Sequence, residues 1–546
     1  MLSRNAIFEM TCEGFGQDAQ GVCRHEGIAD FVPGLLPGEN ALVRIVKPEK
    51  RYAFGRVEQL LAPSPDRTEP FCPVYKRCGG CSCQHMTYET SLRFKQSQVQ
   101  ELLRRVGGLD IEVPPVLGMD VPFAYRNKGA YPVAEVKGEP ACGFFAPRSH
   151  DLIPLPRQGC LIQGEDSRDA TQAVLSWMKK TGTHAYDEVS GKGLVRHIMT
   201  RCTTEGGLMV VLVVTRPQIP NQPLLIDLLR KAVPGLVSVC LSINSKRTNV
   251  ILGTDIRVLW GEGVMEDTIH GLRFSVSPLS FFQVNPVQTE KLYGLALDYA
   301  QLTGEETVVD AYCGAGTISL MLARKAKRVI GIEIVPEAIE NAKENAARNG
   351  IDHAEFLVGA TEELLPKLVD SGLKPDVIVI DPPRKGCEPQ VLEAIIKAQP
   401  ERVVYVSCGA PTLARDAKLL TEGGYKAEKV QCVDMFCWTG AVETVMLLSQ
   451  QKPDDTVHIG LDMDETQVTK AESKATYAQI QAYVEEKYGF KVSTLYIAQV
   501  KQKFGIIERE CYNAPKSEDS RQPKCSPEKE EAIKAALKHF RMILEK

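Results

Sequence analysis

The sequence predicts an α/β protein in which a small β-barrel and a β-rich region precede a doubly wound, largely parallel sheet. Apolar strand-like runs alternate with helical stretches in the second half of the chain, and this alternation is typical of parallel sheets covered by helices on both faces. Short strand-like runs broken by glycine and proline fill residues 5–62, which favours a barrel. A chain of 546 residues is also too long for one core, so we expect several domains.

Changes of pattern along the chain divide it into four predicted parts. We expect a barrel at 1–62, a β-rich central domain at 63–275, the parallel-sheet domain at 276–452 and a polar C-terminal extension at 453–546. A helix at 92–106, which stops at two glycines, is expected to pack on the parallel-sheet domain. The extension contains two helical segments, and its pattern does not indicate a role.

Composition limits the cellular setting. The N-terminal residues contain no apolar stretch of signal-peptide length, and no later run approaches the ~20 apolar residues that cross a bilayer. We therefore expect a cytoplasmic protein without a membrane partner. Because the cytosol keeps thiols reduced, the 17 cysteines suggest a metal site or catalysis rather than a disulfide framework.

The net charge of -4 does not by itself indicate a nucleic-acid partner, so any RNA contact must come from local basic surfaces. One such surface is the expected barrel hairpin, where a single acid, Glu49, lies among five basic residues. These are Arg44, Lys47, Lys50, Arg51 and Arg56. The pattern also fits an ordinary solvated strand edge, and both interpretations stay open.

A glycine turn early in the parallel-sheet domain predicts a nucleotide-type cofactor. In VVDAYCGAGTISL, a strand runs into Gly314 and Gly316 and then into a helix, so the backbone can approach a ligand closely. Glu333 ends the next strand, at about the distance where an acid would hold ribose hydroxyls. Ser319 stands where the nicotinamide fingerprint has a third glycine. With Asp310 closing the first strand and a later Asp-Pro-Pro, this favours S-adenosylmethionine over a nicotinamide cofactor or a mere turn.

The Asp-Pro-Pro-Arg motif at 381–384 follows the apolar strand DVIVI. Two prolines fix the backbone where it leaves the carboxyl edge of the sheet, which is where ligands bind in open α/β folds. Asp381 and Arg384 are therefore expected in the ligand crevice. Enzymes that methylate exocyclic amines usually carry an aromatic residue after the prolines, so Arg384 argues against amine methylation.

Cys408 and Glu443 are the predicted chemical groups at the same edge. Cys408 ends the strand RVVYVS, and a thiolate there could add to C6 of a uracil, which makes C5 nucleophilic toward a methyl donor. The C5 proton must then leave, and Glu443, at the start of the strand VETVMLLS, could take it as a base. The alternatives are an inert core thiol and an exposed strand start.

A loop cysteine cluster predicts a metal site. Cys72, Cys78 and Cys81 lie close together and Cys160 lies far downstream, and four soft thiolates suit zinc or an iron–sulfur cluster. Structural zinc sites usually space their ligands as two short pairs, unlike this arrangement. Cys83 competes for the same role, and spacing alone does not exclude it.

The combined motifs resemble the bacterial RNA uracil-5-methyltransferases that carry an N-terminal TRAM domain and a [4Fe-4S] cluster, with the 23S ribosomal RNA enzymes the most similar. The resemblance covers about residues 10–450. The matching stretches are FVPGLLPGE, CPVYKRCGGCSCQHM, Tyr125-Arg-Asn-Lys128, NSKRTNVILG, FFQVNP, DAYCGAGTISL, DPPRKG, YVSCG and VETV. It implies a Rossmann-like class I methyltransferase domain behind a barrel of the oligonucleotide-binding type.

The resemblance also implies a role for each matching residue. Gln283, Tyr312, Glu333 and Asp381 would bind S-adenosylmethionine, Cys408 would be the nucleophile and Glu443 the base. Cys72, Cys78, Cys81 and Cys160 would hold the cluster, with Cys83 left out. The basic barrel hairpin would contact ribosomal RNA, and no DNA partner is expected. The chain departs from the family where Gly409 and Ala410 follow the nucleophile, and where Cys437 and Ala441 precede the base.

Three other functions remain open. A transfer RNA T-loop uracil-5-methyltransferase would share the chemistry, although such enzymes generally lack both the TRAM domain and the cysteine cluster. A cytosine-5 enzyme would usually carry its thiol in a Pro-Cys motif, whereas Arg384 follows the prolines here and the nearby Cys387 is expected to be structural. An inactive, RNA-binding methyltransferase fold is disfavoured by the intact set of site residues.

Overall fold

The computed structural model describes residues 3–16, 19–451, 476–504, 525–540 and 542. The chain divides into two compact units, Met1–Asp454 and Asp455–Lys546. The start of the expected C-terminal extension and the end of its last expected helix lie outside the described residues.

The first unit begins with a closed five-stranded barrel in the order β1-β2-β3-β5-β4. Its strands are β1 (Ile7–Phe15), β2 (Gln20–His25), β3 (Ile28–Pro33), β4 (Asn40–Pro48) and β5 (Tyr52–Ala62). Alternate residues such as Ala41, Val43 and Ile45 are buried inside it, as expected when successive side chains of a strand point to opposite faces. The predicted barrel is confirmed.

Helix α1 (Tyr88–Leu102) follows, and one π-helical turn, Leu103–Gly107, extends it to Gly108, which takes the left-handed conformation that ends helices. The helix begins before the predicted position because the Thr87 hydroxyl accepts a hydrogen bond from the Thr90 amide. Val99 and Leu103 pack into the core of the later parallel sheet.

The central region contains a seven-stranded sheet in the order β12-β11-β10-β9-β6-β7-β8. Its strands are β6 (Lys128–Val136), β7 (Glu139–Phe145), β8 (Leu152–Pro154), β9 (Val195–Cys202), β10 (Leu208–Val214), β11 (Leu236–Ile243) and β12 (Asp255–Gly261). Helices α2 (Glu165–Thr181) and α3 (Gln222–Ala232) interrupt the β-rich pattern and share an apolar core with the sheet. Ala170, Val174 and Trp177 of α2 are buried at helical spacing, a signal that the overall β-rich pattern obscures.

A hairpin of β13 (Met265–Ile269) and β14 (Leu272–Val276) and the helix α4 (Pro286–Ala300) lead into the last sheet. That sheet has the order β17-β16-β15-β18-β19-β21-β20. Its strands are β15 (Thr307–Asp310), β16 (Arg328–Glu333), β17 (Ala354–Val358), β18 (Val377–Ile380), β19 (Arg402–Ser407), β20 (Tyr425–Val433) and β21 (Glu443–Gln450). The helices are α5 (Thr317–Ala323), α6 (Pro336–Arg348), α7 (Thr361–Asp370), α8 (Pro389–Ala398) and α9 (Ala410–Glu422).

This last sheet confirms the predicted α/β fold class, with separate apolar clusters on its two faces. Strands β17, β16, β15, β18 and β19 pair in parallel, whereas β21 lies antiparallel between β19 and β20. Strand β20 is the one strand of this sheet that the sequence did not indicate. It lies at the sheet edge, so polar residues replace a continuous apolar run.

The second unit contains three described helices, α10 (Tyr477–Tyr488), α11 (Thr494–Lys503) and α12 (Pro527–His539). They share a small core that includes Ile480, Ile497 and Ile533. Two of these helices match the predicted segments, while α11 was not predicted. In the described part of the chain, no helix is long and apolar enough to cross a membrane.

Candidate active site

Every predicted catalytic or cofactor residue that ends or begins a strand lies at one edge of the last sheet. Asp310 and Glu333 are the last residues of β15 and β16, and Cys408 directly follows β19. Strand β21 runs antiparallel to β19 with Ser407 opposite Thr444. The first residue of β21, Glu443, therefore lies at the same carboxyl edge as Cys408.

Two backbone features shape the turn after β15. Gly314 and Gly316 both take left-handed backbone conformations, with φ angles of 53° and 79°. A Cβ on Gly316 would lie 3.1 Å from the Ala342 side chain of α6, so this glycine allows close packing. The Glu333 carboxylate accepts hydrogen bonds from the amides of Gly314 at 3.2 Å and Val335 at 3.0 Å. The acid of the second strand is thereby fixed to the turn of the first.

Ser319 has a structural reason to replace the third glycine of the nicotinamide fingerprint. Its hydroxyl donates a 2.6 Å hydrogen bond to one oxygen of Asp310, a fully buried carboxyl. The other Asp310 oxygen has no hydrogen-bond partner among the described residues. Burial raises the pKa of Asp310 to about 6. A buried polar atom without a partner indicates a place where a ligand could supply one.

Gln283 and Asp381 meet at a tyrosine that the sequence did not indicate. Tyr293 of α4 is buried, and its hydroxyl accepts a hydrogen bond from Thr317 at 3.5 Å. Its pKa is raised by burial and by the charge of Asp381, and contact with the Gln283 side chain opposes that rise. The signal in the sequence was only a helical apolar pattern, which does not distinguish a core tyrosine from one that faces a site.

Gln283 and Tyr312 contact different parts of the chain. The Asn127 side chain donates a 2.9 Å hydrogen bond to the Gln283 carbonyl. Tyr312, after β15, has its pKa raised by burial and by the neighbouring Cys387 and Glu362. Cys387 itself is buried against Tyr405. The structure thus places Tyr312 on the side of the Asp-Pro-Pro loop.

Cys408 and Glu443 share one electrostatic environment with Asp381 and Arg384. Burial raises the pKa of the Cys408 thiol, the charges of Glu443 and Asp381 raise it further, and Arg384 opposes them. Glu443 is 4% exposed, and burial, followed by the charge of Asp381, raises its pKa to about 8. Burial and the charge of Asp310 raise the pKa of Asp381 to about 7. These carboxyls hold protons more tightly than free acids do.

The four cysteines of the predicted cluster line one cavity of about 290 Å³. Cys72, Cys78 and Cys81 lie on the loop between the barrel and α1, and Cys160 reaches them from the loop before α2. The Gly80 amide donates a 3.4 Å hydrogen bond to the Cys78 sulfur. Arg126 and Lys128 also line the cavity, so positive charge lies beside the thiols.

Cys83 lies elsewhere. It is fully buried in a separate apolar cluster with Ala19, Leu36, Met86 and Phe94, and it does not line the cavity. Among the described residues, no group of three or more His, Cys, Asp or Glu side chains converges closely enough to hold a metal ion. The thiols of the cavity thus surround a space without meeting at one point.

More of the basic residues of the barrel hairpin form ion pairs with acids than the sequence suggested. Arg44 and Arg56 lie opposite each other on β4 and β5, and both pair with Glu58, at 2.8 and 2.7 Å. Glu58 is a second acid that the sequence interpretation overlooked. Lys47 pairs with Glu49 at 2.7 Å, while Lys50 and Arg51 are exposed at the turn.

Comparisons with known proteins agree with this architecture. The model of the tRNA (Uracil-5-)-methyltransferase family matches residues 264–451, and the TRAM domain model matches residues 4–57. A Listeria innocua protein named as an uncharacterized RNA methyltransferase is 48% identical over 82% of this chain and 99% of its own length. A Clostridium tetani protein of the same name is 46% identical over 82% of this chain and 97% of its own.

A solved structure shows the same likeness. The tRNA (uracil-54, C5)-methyltransferase of Pyrococcus abyssi, in complex with S-adenosyl-L-homocysteine, superposes with a TM-score of 0.66 at 26% identity. The match covers 81% of this chain and 100% of that one.

The sheet order and the glycine turn define an S-adenosylmethionine-dependent methyltransferase. The chain belongs to the RNA uracil-5-methyltransferase family that carries a TRAM domain. The predicted resemblance to RNA uracil-5-methyltransferases with a TRAM domain is thereby confirmed.

Restoring the third glycine provides a test of the cofactor turn. Ser319→Gly recreates the nicotinamide pattern but removes the only hydrogen bond that a side chain donates to Asp310 among the described residues. Leaving a buried polar group unpaired costs about 1–3 kcal/mol. We expect a lower midpoint of thermal unfolding and weaker S-adenosylmethionine binding by calorimetry, with no gain of NAD binding. Unchanged S-adenosylmethionine affinity would contradict a role of Asp310 in this turn.

Proposed function

We propose that this enzyme transfers a methyl group to C5 of a specific uridine in 23S ribosomal RNA, through a covalent bond between Cys408 and C6 of the base. The observation that carries the proposal is the meeting of a thiol and a buried carboxyl at the carboxyl edge of a methyltransferase sheet. Uracil C5 is a weak nucleophile, so a thiol beside the methyl donor has a chemical purpose.

Cys408 acts first. Its thiolate adds to C6, the new S–C6 bond forms, and the π electrons of C5=C6 move to the O4 carbonyl as an enolate. Arg384 is the positive charge that favours the thiolate, against Glu443 and Asp381. S-adenosylmethionine, when bound, supplies an electrophilic methyl group, which C5 attacks.

Glu443 acts second. Its carboxylate takes the C5 proton, the electrons of that C–H bond restore C5=C6, and the S–C6 bond breaks to release the Cys408 thiolate. A carboxyl with a pKa of about 8 is a stronger base than a free glutamate once it is ionised. Burial thus suits Glu443 to this step.

Gln283, Tyr312, Glu333 and Asp381 would hold S-adenosylmethionine. The residues fit this group: Glu333 is fixed at the end of the second strand as a ribose-binding acid would be, and the glycine turn leaves backbone room for a ligand. The free oxygen of Asp310 points to a further polar contact at the same place.

The choice of ribosomal RNA rests on the resemblance of the whole motif set to the 23S enzymes. Transfer RNA is the second candidate, and the Pyrococcus abyssi structure favours it, because that named tRNA enzyme aligns over its entire length with 81% of this chain. Domain organisation therefore does not separate the two substrates, contrary to the expectation from the sequence.

We further propose that Cys72, Cys78, Cys81 and Cys160 hold a [4Fe-4S] cluster. Four thiolates are the usual ligand set of such a cluster, and each binds a different iron, so the thiols need to surround a cavity, as these do. Arg126 and Lys128 would balance its negative charge. The methylation chemistry requires no redox step, so its role would be in folding and in positioning RNA.

The barrel would add phosphate contacts. Lys50 and Arg51, exposed at the hairpin turn, are the cations best placed for this role. Lys47 beside them pairs with Glu49, and Arg44 and Arg56 share Glu58. Phosphate contacts orient a nucleic acid without reading its sequence.

The two proposed catalytic roles predict different failures. Cys408→Ala removes the attack, so no covalent RNA complex and no methyl transfer should occur. Glu443→Gln keeps the thiol but lacks the base, so a methylated protein–RNA adduct should accumulate and survive denaturation. A denaturing gel with radiolabelled cofactor measures both outcomes.

Two controls accompany this gel. Cys240→Ala deletes a buried thiol of strand β11 in the central sheet and should leave turnover unchanged. RNA with 5-fluorouracil should trap the wild type, because fluorine cannot leave as a cation. A labelled adduct with Cys408→Ala, or no adduct with wild type on fluorinated RNA, would contradict the mechanism.

The RNA target is tested by offering the enzyme separate pools. Labelled methyl transfer to unmodified 23S ribosomal RNA and to unmodified transfer RNA should label the ribosomal pool, and digestion should map 5-methyluridine to defined positions. Label in the transfer RNA pool alone would replace the first candidate with the second.

The cysteine assignment predicts a brown protein with about four irons per chain after anaerobic purification. Cys160→Ser removes a thiol from the cavity and should lose iron. Cys83→Ala, in its separate apolar cluster, should keep it. Stoichiometric zinc in the native protein, or loss of iron from Cys83→Ala, would overturn the assignment.

A further inference from the structure

The loop that joins β20 to β21, residues 434–442, ends directly before Glu443. Its conformation therefore affects where the Glu443 side chain lies, in addition to the strand pairing of β21. Five consecutive backbone carbonyls of this loop accept hydrogen bonds from parts of the chain outside it. The donors to carbonyls 434–438 are, in order, the side chains of Gln288, Asn285, Lys95 and Tyr125 and the amides of Ser82 and Cys83. Loops are usually more mobile than the elements they connect, whereas each of these carbonyls is held by a group from outside the loop.

The side chain at the start of the loop is fixed from helix α1. Asp434 forms an ion pair with Lys95, and both side chains are fully buried. The Tyr88 hydroxyl donates a 2.7 Å hydrogen bond to the second Asp434 oxygen. A buried ion pair adds little net stability compared with apolar packing, but separating its partners would leave an uncompensated buried charge, so the two groups stay joined.

Trp438 is the strained point of the loop. Its φ angle of 64° is left-handed, which is rare for a bulky residue and costs about 1–3 kcal/mol. Phe71 and Tyr88 pack against its ring at 5.1 and 5.3 Å, and its indole N–H donates to the Pro122 carbonyl at 2.8 Å. Such strain persists only where the surroundings over-determine the conformation.

The cysteine segment is part of the same arrangement. The amides of Ser82 and Cys83, next to Cys81 in sequence, donate to the Trp438 carbonyl at 2.9 and 3.0 Å. The Ser82 hydroxyl accepts a hydrogen bond from the Gly440 amide at 3.1 Å. Contacts from α1 and from the cysteine segment therefore converge on the residues that precede Glu443.

We propose that Lys95, Tyr88 and the Ser82–Cys83 amides are positioning residues that hold the 434–442 loop so that the Glu443 carboxylate reaches the C5 proton. The proposal rests on the proposed function, in which Glu443 is the base. It assigns the cysteine segment and α1 a specific part in the reaction, namely the elimination step that releases the product.

The two chemical steps depend on different supports. Cys408 follows β19 and precedes α9, and the Gly409 amide beside it is held by the Ser407 hydroxyl at 3.0 Å. Loosening the 434–442 loop should therefore leave thiol addition and methyl transfer intact while it misplaces the base. A displacement of about 1 Å at a reacting group can cost about 100-fold in rate.

The test measures whether the methylated protein–RNA adduct breaks down to product or accumulates. In Tyr88→Phe and Lys95→Met, the lifetime of the adduct on natural RNA should increase about tenfold or more, with methyl transfer to the adduct near the wild-type rate in single turnover. Tyr88→Phe keeps the ring and removes only the hydroxyl, which donates to Asp434 and accepts from the Met119 amide. It keeps the Lys95–Asp434 ion pair, so it should fold even if Lys95→Met does not.

A matched control deletes another buried hydroxyl at the far end of β20. Tyr425→Phe loses a 3.1 Å hydrogen bond to the Pro400 carbonyl and should leave the adduct lifetime unchanged. A merely structural role would lower the active fraction and slow both steps in proportion, without accumulation of adduct. That result, or an unchanged adduct lifetime in Tyr88→Phe, would overturn the proposal.

Fluorinated RNA separates the two possible failures. If wild type forms no adduct with 5-fluorouracil RNA, the proposed function itself fails. If wild type forms that adduct, but the adducts of Tyr88→Phe and Lys95→Met on natural RNA decay as fast as the wild-type adduct, only the positioning inference fails.

Discussion

The antiparallel pairing of β21 with β19 is the constraint on which the site depends. In a fully parallel sheet, the first residue of a strand lies at the edge opposite the ligand crevice. Because β21 is reversed, with Ser407 opposite Thr444, the start of one strand meets the end of another. The thiol of Cys408 and the carboxyl of Glu443 are thereby brought together by backbone hydrogen bonds, not by flexible side chains.

Burial at that edge then raises the pKa of the acidic side chains that lie there. Asp310 raises the pKa of Asp381, and Asp381 raises that of Glu443, while burial raises all three. Arg384 opposes the effect at both Cys408 and Glu443. Burial at the carboxyl edge thus keeps a proton on Glu443 near neutral pH. The 434–442 loop, whose carbonyls are hydrogen-bonded from outside the loop, directly precedes this buried acid.

The local sequence pattern was enough to locate those site residues that lie at the ends of strands. Asp310, Glu333 and Cys408 end apolar strand-like runs, and the alternation of strands and helices brings such ends to one edge. Contacts distant in sequence could not be predicted that way: Tyr293 lay in an ordinary apolar helix pattern, and the Lys95–Asp434 pair joins residues 339 positions apart. Spacing alone did not exclude Cys83 from the cysteine cluster, and only the family resemblance left it out.

The central claim, that the buried carboxyl of Glu443 removes the C5 proton, is tested most directly by the pH dependence of adduct decay in wild type. Burial raises the pKa of Glu443 to about 8, so the carboxylate form grows as the pH rises through that value. The account predicts that the decay rate of the methylated adduct, measured in single turnover by rapid quench, rises with pH and levels off above about pH 9. A decay rate that does not change with pH, or that falls as the pH rises, would contradict it.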